Sequence, residues 1–249
     1  MPLLAPTLFR SLLGRSISLA VLVFGLGARL AAQVDTLANT TYTGVTFTND
    51  ISIPNSVVPV FTGNTTFLGT NATWGSSSGL YWRQVGTLDN KVLTFGPNAY
   101  LYVNQTGNSL TLGPGTSATG DISIYSDGSA GTSIINQGTL NHTGSSGQIY
   151  APTFTNSGTI NATAGTLYLN YPSAGYNATN TGSVTSSGSG TTVYIRGNFD
   201  NNGTLTAQNS GVLRFDGTNT TANLGSITLA SGGHAYLNGT LVNTGDTLN

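Results

Sequence analysis

Asn136-Gln-Gly-Thr-Leu140, Asn156-Ser-Gly-Thr-Ile160, Asn180-Thr-Gly-Ser-Val184 and Asn201-Asn-Gly-Thr-Leu205 repeat one pattern through the second half of the chain. Two looser copies come after them, Asn223-Leu-Gly-Ser-Ile227 and Asn243-Thr-Gly-Asp-Thr-Leu248. Successive asparagines are 20, 24, 21, 22 and 20 residues apart. A unit of that length with alternating apolar residues cannot bury its own apolar face, so it must stack on its neighbours as one coil of a solenoid. The expected fold is all-β: a right-handed parallel β-helix of about 20–24 residues per coil, with three short strands in each.

Three strand-like stretches recur in each coil. The first comes after the glycine, as in Gly158-Thr-Ile160-Asn-Ala162 and Gly203-Thr-Leu205-Thr-Ala207, and places small, large and small residues on the inner face. The second includes Ile149-Tyr-Ala151, Leu167-Tyr-Leu169, Val193-Tyr-Ile195, Leu213-Arg-Phe215 and Ala235-Tyr-Leu237. Aligned this way, Tyr150, Tyr168, Tyr194, Arg214 and Tyr236 form one outward column. The third runs into the asparagine, with Phe154, Ala178 and Phe199 alternating in size along the stack.

Asparagine at a corner between strands tolerates a left-handed backbone, and glycine two residues later suits a tight bend. Stacked amides can each donate to one neighbour and accept from the other. An internal ladder of Asn136, Asn156, Asn180, Asn201 and Asn223 is therefore expected.

Upstream, Val45-Thr-Phe47, Val92-Leu-Thr-Phe95, Tyr100-Leu-Tyr-Val103 and Ile122-Ser-Ile124 use the same alphabet with weaker phase. Residues 33–132 read as irregular early coils and a cap, and 133–249 as the regular repeats. Residues 1–32 read as a secretory signal peptide: Arg10 and Arg15, an apolar run at 17–26, then Ala31-Ala32. That run is too short to span a bilayer, so the exported chain has no expected transmembrane segment.

Beyond residue 32 only Arg83, Lys91, Arg196 and Arg214 stand against eight Asp, a net charge of −4, and there is no Glu. A nucleic-acid partner would need clustered cations, and none is expected. With no cysteine, an exported chain must be held by burial and hydrogen bonding. The ten Asn-x-Ser/Thr sequons are what a chain this rich in Asn and Thr contains by composition.

The stretches 201–207, 224–233, 236–241 and 243–248 resemble the exported β-helix proteins of bacteria, with filamentous-haemagglutinin-like and autotransporter-passenger-like repeats. The likeness covers about 130–249 well and the rest loosely. It implies a secreted or surface-displayed module with a structural or adhesive role. Partners would be extracellular glycans or cell-surface components, and further coils or a capping partner would continue the stack.

No catalytic residue, cofactor or metal site is expected. His142 and His234 are far apart, and His142 replaces Ala162 and Ala207 in register, which places it at the core. The enzymatic alternative, a polysaccharide lyase or glycosidase, needs acids close together on one face. Arg196 and Asp216 share an outward column, but as a surface ion pair. The tyrosine column is the candidate surface for a glycan or partner, since aromatic faces stack on sugar rings. A minor alternative is ice binding by the hydroxyl column Thr139, Thr159, Ser183, Thr204 and Ser226, which Asn and Ser neighbours interrupt.

Overall fold

A computed structural model of the protein describes residues 33–243. The expected signal peptide and most of the last repeat copy lie outside the described residues. Ten coils stack into a parallel β-helix. Two ten-stranded sheets run its length, one from Val34–Thr36 to Ser226–Leu229 and the other from Thr41–Thr43 to His234–Leu237. The third face consists of a six-stranded sheet spanning Val85–Leu88 to Asn198–Asn201. Two strand pairs flank it: Thr46–Phe47 with Thr66–Phe67, and Thr218–Thr220 with Thr240–Val242. At the usual strand spacing, ten coils make a stack of roughly 45–50 Å. Coils 1 to 10 are numbered by the strands of the first sheet.

Alternation explains why these segments become strands. Thr159–Ala162, Thr166–Leu169 and Thr192–Ile195 bury every second residue and leave Thr, Asn or Tyr between them. Each fully buried Leu, Ile or Phe contributes about 1.5–3 kcal/mol of transfer free energy. The first sheet keeps its register through coil 10, and residues before 133 lay down its first coils without a break.

The interior changes character along the stack. In the first sheet one inner column reads Ile53, Trp74, Phe95, Gly120, His142, Ala162, Ser186 and Ala207. Trp74 and Phe95 stack at 4.6 Å between ring centroids. In the second sheet Tyr42, Phe61 and Trp82 face inward in register, and the Trp82 indole donates to the Ser109 carbonyl at 2.9 Å. Beyond coil 4 smaller residues replace the aromatics in the first of these columns.

The asparagine ladder forms at one corner of the third face. Asn136 Nδ2 donates to Asn156 Oδ1, Asn156 to Asn180 and Asn180 to Asn201, each at 2.7 Å. All four side chains are buried. In coils 3 and 4 Leu88 and Leu112 hold the same position. With Leu112 as its neighbour on that side, the Oδ1 of Asn136 has no donor.

Asn223 is not part of this ladder. After Thr218–Thr220 the chain turns into the four-residue helix Thr221–Leu224, capped by Thr220 Oγ1, which accepts from the Asn223 amide at 3.0 Å. The helical turn carries Asn223 off the corner, and Asn201 Nδ2 donates instead to the Leu224 carbonyl at 2.9 Å. Backbone competition by a Thr side chain at the helix start is the physical cause.

A second expectation fails at the same corner. The ladder asparagines end strands with extended backbone, as at Thr153–Asn156, and none has positive φ. The glycine two residues on is demanded by proximity rather than by a left-handed bend. A Cβ on Gly158 would strike the Gly138 carbonyl oxygen, and one on Gly182 the Gly158 oxygen. Glycine there lets successive coils approach to hydrogen-bonding distance, with Thr159 N donating to Gly138 O at 2.9 Å.

Candidate recognition face

The outward side of the second sheet collects the tyrosines. Of the eleven in the chain, Tyr42 alone packs against the core, beside Phe47 and Phe61. Strand register sorts most of the others into two columns two residues apart. One holds Tyr81, Tyr102, Tyr125 and Tyr150 in coils 3 to 6. The neighbouring one runs Tyr100, Ser123, Gln148, Tyr168, Tyr194, Arg214 and Tyr236 through coils 4 to 10.

Tyr150 therefore does not sit in register with Tyr168. Gln148 pairs with Tyr168, and Ile149 with Leu169. Ser146–Tyr150 is a five-residue strand, and its pairing to the next coil is slid by two residues from the one expected. A two-residue slide preserves which side chains face in and out, so the apolar pattern accommodates either. The tyrosine strip consequently steps sideways between coils 6 and 7 instead of running straight.

The step is bridged by the loop after Thr166–Leu169. Tyr171 and Tyr176 pack against each other at 5.1 Å and against Tyr150 at 5.1 and 5.9 Å. Tyr125 and Tyr150 stack at 5.4 Å, and Tyr102 meets Tyr125 at 5.0 Å. On the other column Tyr168 and Tyr194 stack at 5.2 Å. Stacked and tilted pairs of this kind contribute about 0.5–1.5 kcal/mol each beyond burial.

Both arginines of coils 8 and 9 lie among these rings. Arg196 sits over Tyr168 at 4.4 Å and near Tyr171 at 5.9 Å, and donates to the Asn170 carbonyl at 3.2 Å. Its guanidinium thus packs on a ring, and burial lowers its pKa against the opposing influence of the neighbouring phenols and Asp216. Arg214 lies between Tyr194 and Tyr236, 5.3 and 5.7 Å from their centroids, and donates to the Tyr194 hydroxyl at 2.6 Å. The Nε of each arginine is buried with no partner.

Burial and neighbouring phenols push the Tyr125 hydroxyl well above its ordinary value and that of Tyr150 up to about 12. Burial likewise raises Tyr100, Tyr102 and Tyr176. These phenols remain neutral donors through the ordinary pH range. With Arg83 over the Tyr81 ring at 5.4 Å, the face thus presents ring surfaces, hydroxyls and three delocalised cations.

The outward hydroxyl column of the first sheet is in register from Thr139 through Ser226. Asn141 and Asn161 stand beside it and hydrogen-bond to each other at 3.0 Å. His142 is fully buried, with Nδ1 accepting from Ile122 N at 3.2 Å and Nε2 unpartnered. Among the described residues no three His, Asp or Glu side chains are grouped to hold a metal ion, and no helix is long and apolar enough to cross a membrane. No family model, curated protein or solved structure matches the chain.

Proposed function

We propose that this chain is an exported, non-enzymatic β-helix module with a structural and adhesive role at a cell surface, making its contacts through the tyrosine face of the second sheet. One observation carries the reading: ring contacts continue from Tyr81 to Tyr176 in coils 3 to 7, and from Tyr168 to Tyr236 through Arg214 in coils 7 to 10. A face so concentrated in amphipathic rings and arginine has the composition of recognition surfaces. Rings spaced at the coil repeat suit an extended partner such as a glycan chain, whose sugar rings offer flat C–H faces to stack on.

The test is adhesion of the purified chain to glycan-coated and cell surfaces, with Tyr168→Ser/Tyr194→Ser as the variant. Lost adhesion with a folded variant supports the reading. Lowered stability with adhesion unchanged makes the strip a structural ladder only. Release of reducing ends or unsaturated products from polysaccharides would replace the adhesive role with an enzymatic one.

A further inference from the structure

The sideways step of the tyrosine strip leaves a gap, and the gap is shaped. In the column that starts at Tyr100, coils 5 and 6 present Ser123 and Gln148, and tyrosine returns only with Tyr168 and Tyr194. A notch of about 260 Å³ opens there, walled by Tyr100, Tyr125 and Tyr168. Ala99 and Gly147 are buried beneath it, and Asn98, Ser123, Ser146 and Gln148 supply its polar lining. Its end walls are three coils apart, about 14 Å at the usual strand spacing.

Two features show how the notch stays open. Tyr100 is free to lean toward coil 3 because the residue beneath it is Gly79, where any Cβ would meet the Tyr100 ring. At the other end Tyr168 is covered from the coil 8 side by Tyr194 and Arg196, leaving its coil 6 side to the notch. The polar groups are unspent: among the described residues, the side chains of Asn98, Ser123, Ser146 and Gln148 make no hydrogen bond within the chain. Some exposed amides elsewhere do pair with one another or with a carboxylate, as Asn198 does with Asn177 and Asn71 with Asp50. No charged side chain lines the notch.

We infer that this notch is a subsite for one ring of a neutral polysaccharide, held by stacking on tyrosine and by hydrogen bonds from its hydroxyls to Ser123, Ser146 and Gln148. The volume lies just below the roughly 300–1,000 Å³ of sites that take drug-sized molecules, which suits a single pyranose rather than a larger group. The uncharged lining selects neutral over acidic sugars, because a carboxylate entering it would lose water without gaining a cation. The strip on either side then carries the rest of the chain, so the inference rests on the recognition reading of the tyrosine face.

Saturation-transfer NMR and calorimetric titration with cellotetraose and mannotetraose, against tetragalacturonate, test it. Gln148→Tyr continues the aromatic column and fills the notch. It is expected to keep the melting temperature and weaken neutral tetrasaccharide binding about tenfold or more. Gln148→Ala keeps the notch open and removes one amide, for a loss of about three- to tenfold; it decides the matter should Q148Y fail to fold. Thr206→Ala, on the outward side of the first sheet and off the tyrosine face, is expected to leave tetrasaccharide affinity unchanged.

Undiminished binding by both Gln148 variants, with loss in Tyr236→Ser on the strip itself, would overturn the subsite while leaving the strip as the recognition surface. Preference for tetragalacturonate, or no binding of either neutral tetrasaccharide at millimolar concentration, would also overturn it. In the last case surface adhesion by wild type and Q148Y alike would show that the broader reading survives.

Discussion

Coils 1 to 4 and coils 5 to 9 solve the same packing problem with different chemistry. The early coils fill their interior with Phe61, Phe67, Trp74, Trp82 and Phe95, and close the third corner with Leu88 and Leu112. The later coils put Gly120, His142, Ala162, Ser186 and Ala207 in the first-sheet column that Trp74 and Phe95 occupy earlier. Their third corner is held by the ladder from Asn136 to Asn201. The first arrangement gains from buried area and ring contacts. The second gains from hydrogen bonds that polarise one another in a low-dielectric interior, and it loses heavily if one rung is missing. A repeat fold can therefore change its interior between one coil and the next while its backbone register continues.

The sharpest way to break the early half is Trp82→Ala. It removes a fully buried ring that packs on Phe61 at 6.4 Å, together with the indole donor to the Ser109 carbonyl. A cost of about 3–5 kcal/mol in urea unfolding is expected.

In the later half Asn156→Leu comes next. It matches the leucines of coils 3 and 4 in shape but strips Asn136 Nδ2 of its best acceptor and Asn180 Oδ1 of its donor. At about 1–3 kcal/mol per unsatisfied group, the loss should be roughly 2–4 kcal/mol. The weaker contacts of Asn136 Nδ2 with the Gly138 and Thr159 carbonyls soften it.

Near the boundary between the halves, His142 gives a pH signature. Burial lowers its pKa from the ordinary 6.5, against the opposing influence of Asp121 and the Gly120 carbonyl. The unfolded chain therefore takes up the proton first. Stability is complete above pH 6.5 and declines as pH falls through that value toward the folded pKa. Urea midpoints should be lower at pH 5 than at pH 8, and His142→Ala should remove that difference.

The smallest expected effect is Asn136→Leu, which moves the boundary by one coil. The Asn136 Oδ1 already lacks a donor, so the substitution transfers that deficit to Asn156 Oδ1 at the loss of one hydrogen bond. A change within about 1 kcal/mol is expected. A loss as large as that of Asn156→Leu would mean that the ladder is not simply terminated at Leu112.

The same physics decides how much of the molecule is legible in its sequence. The Asn-x-Gly spacing and the period-two alternation specify coil length, strand number and the inner residues of the first and third faces, because burial there is unambiguous. The second face is harder to read. Ile149-Tyr-Ala151 and Leu167-Tyr-Leu169 look superposable, yet the coils pair with a two-residue slide that alternation cannot sense. The column of Tyr81, Tyr102, Tyr125 and Tyr150 escapes notice for a related reason. Its spacings of 21, 23 and 25 residues are near one coil, but changing loop lengths hide the phase. Asn223 matches the repeat in letters, while Thr220 three residues before it supplies a helix cap that takes precedence.

Side-chain amide hydrogen exchange at the asparagines tests the two-part interior most directly. The carboxamides of Asn136, Asn156, Asn180 and Asn201 should be strongly protected, with Asn156 and Asn180 the slowest, and the exposed Asn202 fast. Exchange of Asn156 and Asn180 at the rate of Asn202 would contradict the ladder, and with it the claim that the later coils are held by a polar spine.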